Sequence, residues 1–156
     1  KRLGLFPDLD VAANVSVCSL GRAARGGLLS RSREEALVAA PIRDTGVKTP
    51  GMHAAITGLS GGNQQKCIIG RWLLTAPRIL LLDDPTRGID VGAKAELYAL
   101  VDRLCREGMA VILTSSELPE LLTLADRIIV LAEGRLTAEF SRSEATEERI
   151  VEAATA

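Results

Sequence analysis

The sequence predicts an α/β fold, with parallel strands flanked by helices and a small helical region ahead of them. Three observations lead there. Residues 78–84 form a continuous apolar run ending in Asp83 and Asp84, the pattern of a fully buried parallel strand whose C-terminal end faces a site. From residue 59 onward, segments with strand and helix character alternate, the arrangement of a βα core. Residues 1–58, by contrast, hold short helical candidates and no strand strong enough to build a sheet.

In order, the first region offers helical candidates near 10–20 and 31–40, interrupted by Gly26, Gly27, Pro41, Pro50 and Gly51. The next helix is announced by Ser60, a natural N-cap, followed by Cys67, Ile68, Ile69, Trp72 and Leu73 at helical spacing, and it is closed by Pro77. After the strand at 78–84, the tight loop Thr86-Arg87-Gly88-Ile89-Asp90 leads into a helix over 92–107. There Asp90 is the expected N-cap and Leu97, Leu100, Val101 and Leu104 form the apolar stripe. Gly108 stops that helix. A strand at 110–115, a short helix at 117–125, a strand at 127–132, a hairpin at Glu133-Gly134 and a last helix near 145–154 complete the expected order.

Gly61 and Gly62 sit in the first turn of the helix capped by Ser60. Each costs roughly 0.5 to 1 kcal/mol against alanine there, so local stability does not select them. One explanation is a need for backbone N–H groups bare of side chains at a positive helix end, which suits an anion such as phosphate. The alternative is a flexible loop leading into an ordinary amphipathic helix. Of the carboxylates at the end of the 78–84 run, one can hold Mg²⁺ and the other can act as a base toward water; the alternative is a solvated turn.

The chain has 156 residues, 47% of them hydrophobic, and a net charge of −1 from 19 basic and 20 acidic side chains, so one modest core is possible. That balance gives no electrostatic footprint for nucleic acid or an anionic membrane, and the few aromatics give no base-stacking platform. Trp72, Tyr98, Phe6 and Phe140 are expected in the core or in packing. Cys18, Cys67 and Cys105 are odd in number and lack metal-ligand spacing, as expected of reduced thiols. His53, the one histidine, is expected on an exposed loop. No apolar run approaches the ~20 residues of a membrane span, so any membrane connection is expected to run through a partner.

LSGGNQQK (59–66), LLLDDPTRGID (80–90) and TSSELPE (114–120), in this order and spacing, resemble the signature motif, Walker B strand with D-loop, and switch region of ATP-binding cassette (ABC) ATPases. The resemblance is closest to the second nucleotide-binding domain of the tandem ATPase subunit of bacterial ribose/xylose/galactose-type sugar importers. GLFPDLDVAANVSV and GVKTP resemble that family's helical subdomain, so the likeness spans nearly the whole chain. It implies part of a P-loop NTPase core. Residues 1–58 would be part of the helical subdomain, 59–141 the signature helix and the Walker B, D-loop and switch half of the core, and 142–156 a C-terminal helix.

The resemblance also implies roles. Ser60, Gly61 and Gly62, with Asn63 and Gln64 of the same motif, would belong to the nucleotide site, the first three contacting the γ-phosphate of ATP held by the opposite domain. Asp83 would help hold Mg²⁺, and Asp84 stands where the family usually has the glutamate that polarises water. Asp90 would lie at the interface between the two domains, and Ser116 takes the place of the usual switch histidine. Asp84 is a methylene short of glutamate, and a misplacement of about an ångström can cost on the order of a hundredfold in rate. With Ser116, this suggests a slow or mainly structural site.

No GxxxxGK[ST] occurs in the sequence, so the Walker A loop on which ATP and Mg²⁺ binding depends is expected upstream of Lys1. Losing even three charge-assisted hydrogen bonds weakens binding by roughly a thousandfold, so this chain alone is expected not to bind ATP usefully and to be inactive by itself. It resembles a fragment opening just after the glutamine loop, with an unpaired sheet edge that favours oligomers or aggregation. The intact parent would be an ATPase working with a second nucleotide-binding domain, transmembrane permease subunits and, indirectly, a sugar-binding protein. It would lie in the cytoplasm on the inner face of the bacterial plasma membrane, without nucleic acid. Two alternatives stay open: a non-catalytic module lending a signature surface in trans, and an ABC ATPase outside transport.

Overall fold

The computed structural model describes residues 4–155, and the chain forms two compact units, Lys1–Leu80 with Gly88–Ala110, and Leu81–Arg87 with Val111–Ala156. Residues 1–3 of the opening segment and Ala156 lie outside the described residues.

The first unit begins with α1 (Val11–Ser16), capped by Asp10, whose Oδ1 accepts from the Ala13 N–H at 2.8 Å. A 3-10 turn and α2 (Leu20–Ala23) follow, so the helical character expected near 10–20 is divided among short pieces. β1 (Ala24–Arg25) and β2 (Leu28–Leu29) then make a minimal antiparallel hairpin. No strand was expected here. Gly26 and Gly27, at φ 58° and 81°, supply the left-handed turn that closes it.

α3 (Arg31–Asp44) runs through Pro41 instead of ending before it. The helix tolerates the proline near its C-terminal end, where Thr45 returns both its N–H (2.9 Å) and its hydroxyl (2.7 Å) to the Pro41 carbonyl. α4 (Gly61–Leu73) and α5 (Val91–Arg106) complete the unit. Val11 and Val15 of α1, Val38 and Ile42 of α3, Ile56, and Cys67 of α4 form one core cluster; fully burying each branched aliphatic side chain is worth about 1.5–3 kcal/mol. Cys67 is inert there, its thiol pushed up to about 12 by burial.

A polar knot fixes α4 within this core. Arg71, 4% exposed, donates from Nε to the Asn14 carbonyl at 2.6 Å and from Nη1 to the Gly4 carbonyl at 2.6 Å, and its guanidinium lies over the Phe6 ring. Asn14, fully buried, donates to the carbonyls of Phe6, Leu9 and Asp10. Of the aromatics expected in the core or in packing, Phe6 and Trp72 are 46% and 47% exposed and so lie outside the core; Phe6 packs as a lid on Arg71.

β3 (Ile79–Asp83) pairs with β4 (Ala110–Thr114). The Ala110 N–H donates to the Arg78 carbonyl, and the Asp84 N–H to the Thr114 carbonyl, so the two strands run the same way. β3 is not buried on both faces as its composition predicts. Leu80 and Leu82 are buried while Ile79 and Leu81 are 56% and 71% exposed, because only the face carrying the even-numbered residues is covered.

In the second unit, α6 (Leu118–Leu124) leads to the antiparallel hairpin β5 (Arg127–Ala132) and β6 (Arg135–Ser141), which turns at Glu133-Gly134 as expected, and α7 (Glu147–Thr155) follows. Ile128, Val130, Phe140 and Ile150 are its core.

His53 lies on the expected exposed loop, but its ring is clamped. Nδ1 is 2.7 Å from Asp10 Oδ2 and Nε2 is 2.7 Å from Glu35 Oε1, with Arg31 also near Glu35. The hydrogen bonds to Asp10 and then Glu35 raise its pKa above 6.5, and the Arg31 charge opposes them. A raised folded-state pKa gives stability that is complete below 6.5 and lost as the pH rises through the folded value. We expect the melting temperature of the parent to exceed that of His53→Ala by a margin that shrinks as the pH is raised above neutrality. A margin independent of pH contradicts the clamp.

Candidate functional site

The sequence-selected residues fall into two groups, each inside one compact unit. The first is built at the starts of α4 and α5. Ser60 caps α4, its Oγ accepting from the Asn63 N–H and, at 3.0 Å, from the Asn63 side-chain amide. The N–H groups of Gly61 and Gly62 then lie ahead of any intrahelical acceptor. Asp90 caps α5, its Oδ1 accepting from the Ala93 N–H at 2.9 Å.

The two helix starts meet. A Cβ at Gly62 would stand 2.4 Å from the Ala93 Cβ and 3.2 Å from Ile89 Cγ2, so only glycine permits this approach. One turn further along each helix, Lys66 Nζ lies 2.5 Å from Glu96 Oε2. Residue numbers rise together from the first contact to the second, so α4 and α5 run in the same direction with their N-termini side by side. Two positive helix ends therefore share one locality, which favours an anion there.

The pairing is held by a buried lysine and a half-exposed carboxylate. Lys66, its side chain 5% exposed, donates also to the Gly46 carbonyl at 3.1 Å, and Lys48 reaches Glu96 Oε1 at 2.7 Å. Hydrogen bonds from Lys48 and then Lys66 hold the Glu96 carboxyl down at about 2. Asn63 and Gln64 are committed inside the unit. Asn63 Oδ1 accepts from the Lys48 N–H, and Gln64 Nε2 donates to the carbonyls of Ile56 and Leu59. Their geometry shapes the loop before α4.

The second group lies in the loops after β3 and β4. Asp83, on the exposed C-terminal end of β3, accepts from the Thr114 hydroxyl at 2.6 Å on Oδ1. Asp84 has φ 43°, a left-handed conformation for a residue other than glycine. Its Oδ1 accepts from the Ser116 N–H at 2.6 Å. That bond, and then a second from the Ser116 side chain, holds the Asp84 carboxyl below its ordinary range, as an anion poorly suited to taking a proton. Ser116 thus contributes its backbone as well as its hydroxyl.

The sequence reading missed Lys66, Glu96, Thr86 and Glu120. Lys66 was legible as a cation four residues after Gly62 on the same, buried helix face. Glu120 was legible as a lone carboxylate among Leu118, Leu121 and Leu122. Gly62 was selected for its N–H, whereas the neighbouring Ala93 gives it a steric reason as well.

Comparison with known proteins decides the family. The ABC transporter family model matches residues 1–87, more than half of the chain. The chain belongs to the ABC transporter family. This ABC chain is 49% identical over 154 residues to a ribose import ATP-binding protein of Rhodopirellula baltica, covering 99% of itself and 30% of that relative. It is 48% identical over 155 residues to a xylose import ATP-binding protein of Moorella thermoacetica, covering 99% and 31%. It therefore spans about a third of the length of these curated relatives.

Its fold is that of solved ABC cassettes. It superposes on an ATP-binding cassette of an ABC transporter with a TM-score of 0.78 at 18% identity, covering 94% of this chain and 63% of that one. On a dimeric cassette in a post-hydrolysis state bound to ADP and Pi, the TM-score is 0.74 at 24% identity, covering 91% and 60%. The core is thus a partial P-loop ABC ATPase fold, and the family as a whole uses ATP and Mg²⁺.

Gly62→Ala is expected to destabilise the chain by about 1–3 kcal/mol through overpacking against Ala93. Gly58→Ala, with nothing within 4 Å of the added carbon, is the control. Urea midpoints of the two variants check this, and equal midpoints contradict the close approach of the helices.

Proposed function

We propose that this chain is the signature and Walker B portion of an ATP-hydrolysing subunit that powers carbohydrate import. The observation that carries the reading is the pair of helix N-termini at Ser60 and Asp90, joined at Gly62 and Ala93. These termini suit a phosphate brought by another domain. Ser60, Gly61 and Gly62 take the γ-phosphate of that ATP, with Asn63 and Gln64 supporting the loop and Asp90 at the interface of the two domains. The import relatives support carbohydrate as the cargo class.

Asp83 fits a Mg²⁺ partner: it is exposed, and the Thr114 hydroxyl occupies Oδ1 and leaves Oδ2 for coordination. Among the described residues no group of three or more His, Cys, Asp or Glu could hold a metal alone, so the ion would be bound together with phosphate oxygens. Held there by Asp83, Mg²⁺ would neutralise charge on the phosphates. Asp84 takes the place of the water-polarising group, and Ser116 holds it. Residues 1–58 serve as part of the helical subdomain nearest the permease subunits, 59–141 as the catalytic half-core and 142–156 as the C-terminal helix. No helix among the described residues is long and apolar enough to cross a membrane.

One observation favours a second reading, a non-catalytic module that completes a partner's site. The Asp84 carboxylate is already bonded to Ser116 and held in its anionic form. In the intact subunit, Ser60→Arg crowds the shared helix ends and is expected to slow ATP hydrolysis on the order of a hundredfold. Unchanged hydrolysis contradicts the signature role. Asp84→Asn separates the readings: a further loss supports a working hydrolytic site here, and an unchanged rate supports the module.

A further inference from the structure

We infer that Glu120 is a positioning residue that ties the loop after β3 to the loop after β4 and so sets where the Ser116 N–H meets Asp84. The inference deepens the proposed reading and rests on it for its consequence in hydrolysis. The carboxylate of Glu120 is 1% exposed. Its Oε2 accepts from the Thr86 hydroxyl at 3.0 Å and from the Ser115 hydroxyl at 2.5 Å, while among the described residues Oε1 has no hydrogen-bond partner.

Stability alone does not favour such a group. A buried polar atom left without a partner is destabilising, and an apolar side chain of similar size would carry no such penalty. What the carboxylate does provide is one oxygen shared by two loops. Thr86, also 1% exposed, lies two residues after Asp84, and Ser115 lies one residue before Ser116. Ser115 Oγ in turn accepts from the Glu117 N–H at 3.0 Å. With both hydroxyls seated on one atom, neither loop can shift without breaking a buried bond. The Ser116 N–H is thereby presented to Asp84 Oδ1 at 2.6 Å, although Asp84 occupies a left-handed conformation that its own backbone does not favour.

The test needs no nucleotide, so it can fail independently of the proposed function. Amide hydrogen exchange of the whole chain is followed residue by residue in the parent, Glu120→Ala and Glu120→Gln. Glu120→Ala is expected to speed exchange at Ser116 and Glu117 about tenfold, with amides of the β5–β6 hairpin changing by less than about twofold. Glu120→Gln keeps an acceptor oxygen for both hydroxyls and is expected to restore most of the protection. Thr86→Val, nearly isosteric and on the other loop, is expected to speed Ser116 exchange several-fold, and it serves as the probe if Glu120→Ala does not fold. Three outcomes overturn the inference: Ser116 unaffected by Glu120→Ala or Thr86→Val, Glu120→Gln no better than alanine, or exchange rising equally throughout the unit.

Discussion

The contact between the first turns of α4 and α5 is the constraint on which the first unit depends. Helices lying side by side and pointing the same way bring like partial charges together at each end, about half an elementary charge per terminus. Such a pairing needs compensation. Gly62 lets the backbones approach, Asp90 and Ser60 satisfy N–H groups at the two starts, and the Lys66–Glu96 pair draws the helices together one turn later. At the other end of α4, Arg71 is anchored in the carbonyls of Gly4 and Asn14. Helix α4 is thus fixed at both ends, and its start lies beside that of α5 as a concentrated positive end.

The carboxylate pair follows a different logic. β3 delivers Asp83 and Asp84 to the end of a strand, and the chain must then turn sharply into Pro85. The left-handed conformation of Asp84 costs on the order of 1 kcal/mol, and hydrogen bonds to the switch loop offset it. Thr114, Ser115 and Ser116 all engage this corner, the first through Asp83, the second through Glu120 and the third through Asp84. The backbone N–H and the hydroxyl of Ser116 do the holding. This makes Asp84 a well-fixed anion and a weak base.

Much of this was legible in the sequence because local chemistry dictated it. Ser60 and Asp90 cap where cap residues should, Gly108 ends α5, and Glu133-Gly134 turns the β5–β6 hairpin. The motifs at 59–66, 80–90 and 114–120 carried the family. What escaped depended on partners distant in sequence. Pro41 looked like a helix stop, yet α3 carries it in its last turn, and Gly26-Gly27 looked like a break until it closed a hairpin. His53 gave no sign that Asp10 and Glu35 would hold it. The apolar run at β3 reads as doubly buried, yet burial belongs to what covers a strand, and only one face is covered here. Gly62 could be flagged as costly from sequence, but its steric reason depends on Ala93 across a helix–helix contact.

The most direct test of the account is a through-space proton contact between the Gly62 α-protons and the Ala93 methyl group in isotopically labelled chain. Parallel helices joined at their first turns predict a strong cross-peak there, with a second series linking Lys66 to Glu96. Absence of the Gly62–Ala93 cross-peak, with Lys66 and Glu96 contacting other residues, would contradict the shared helix ends on which the signature site is built.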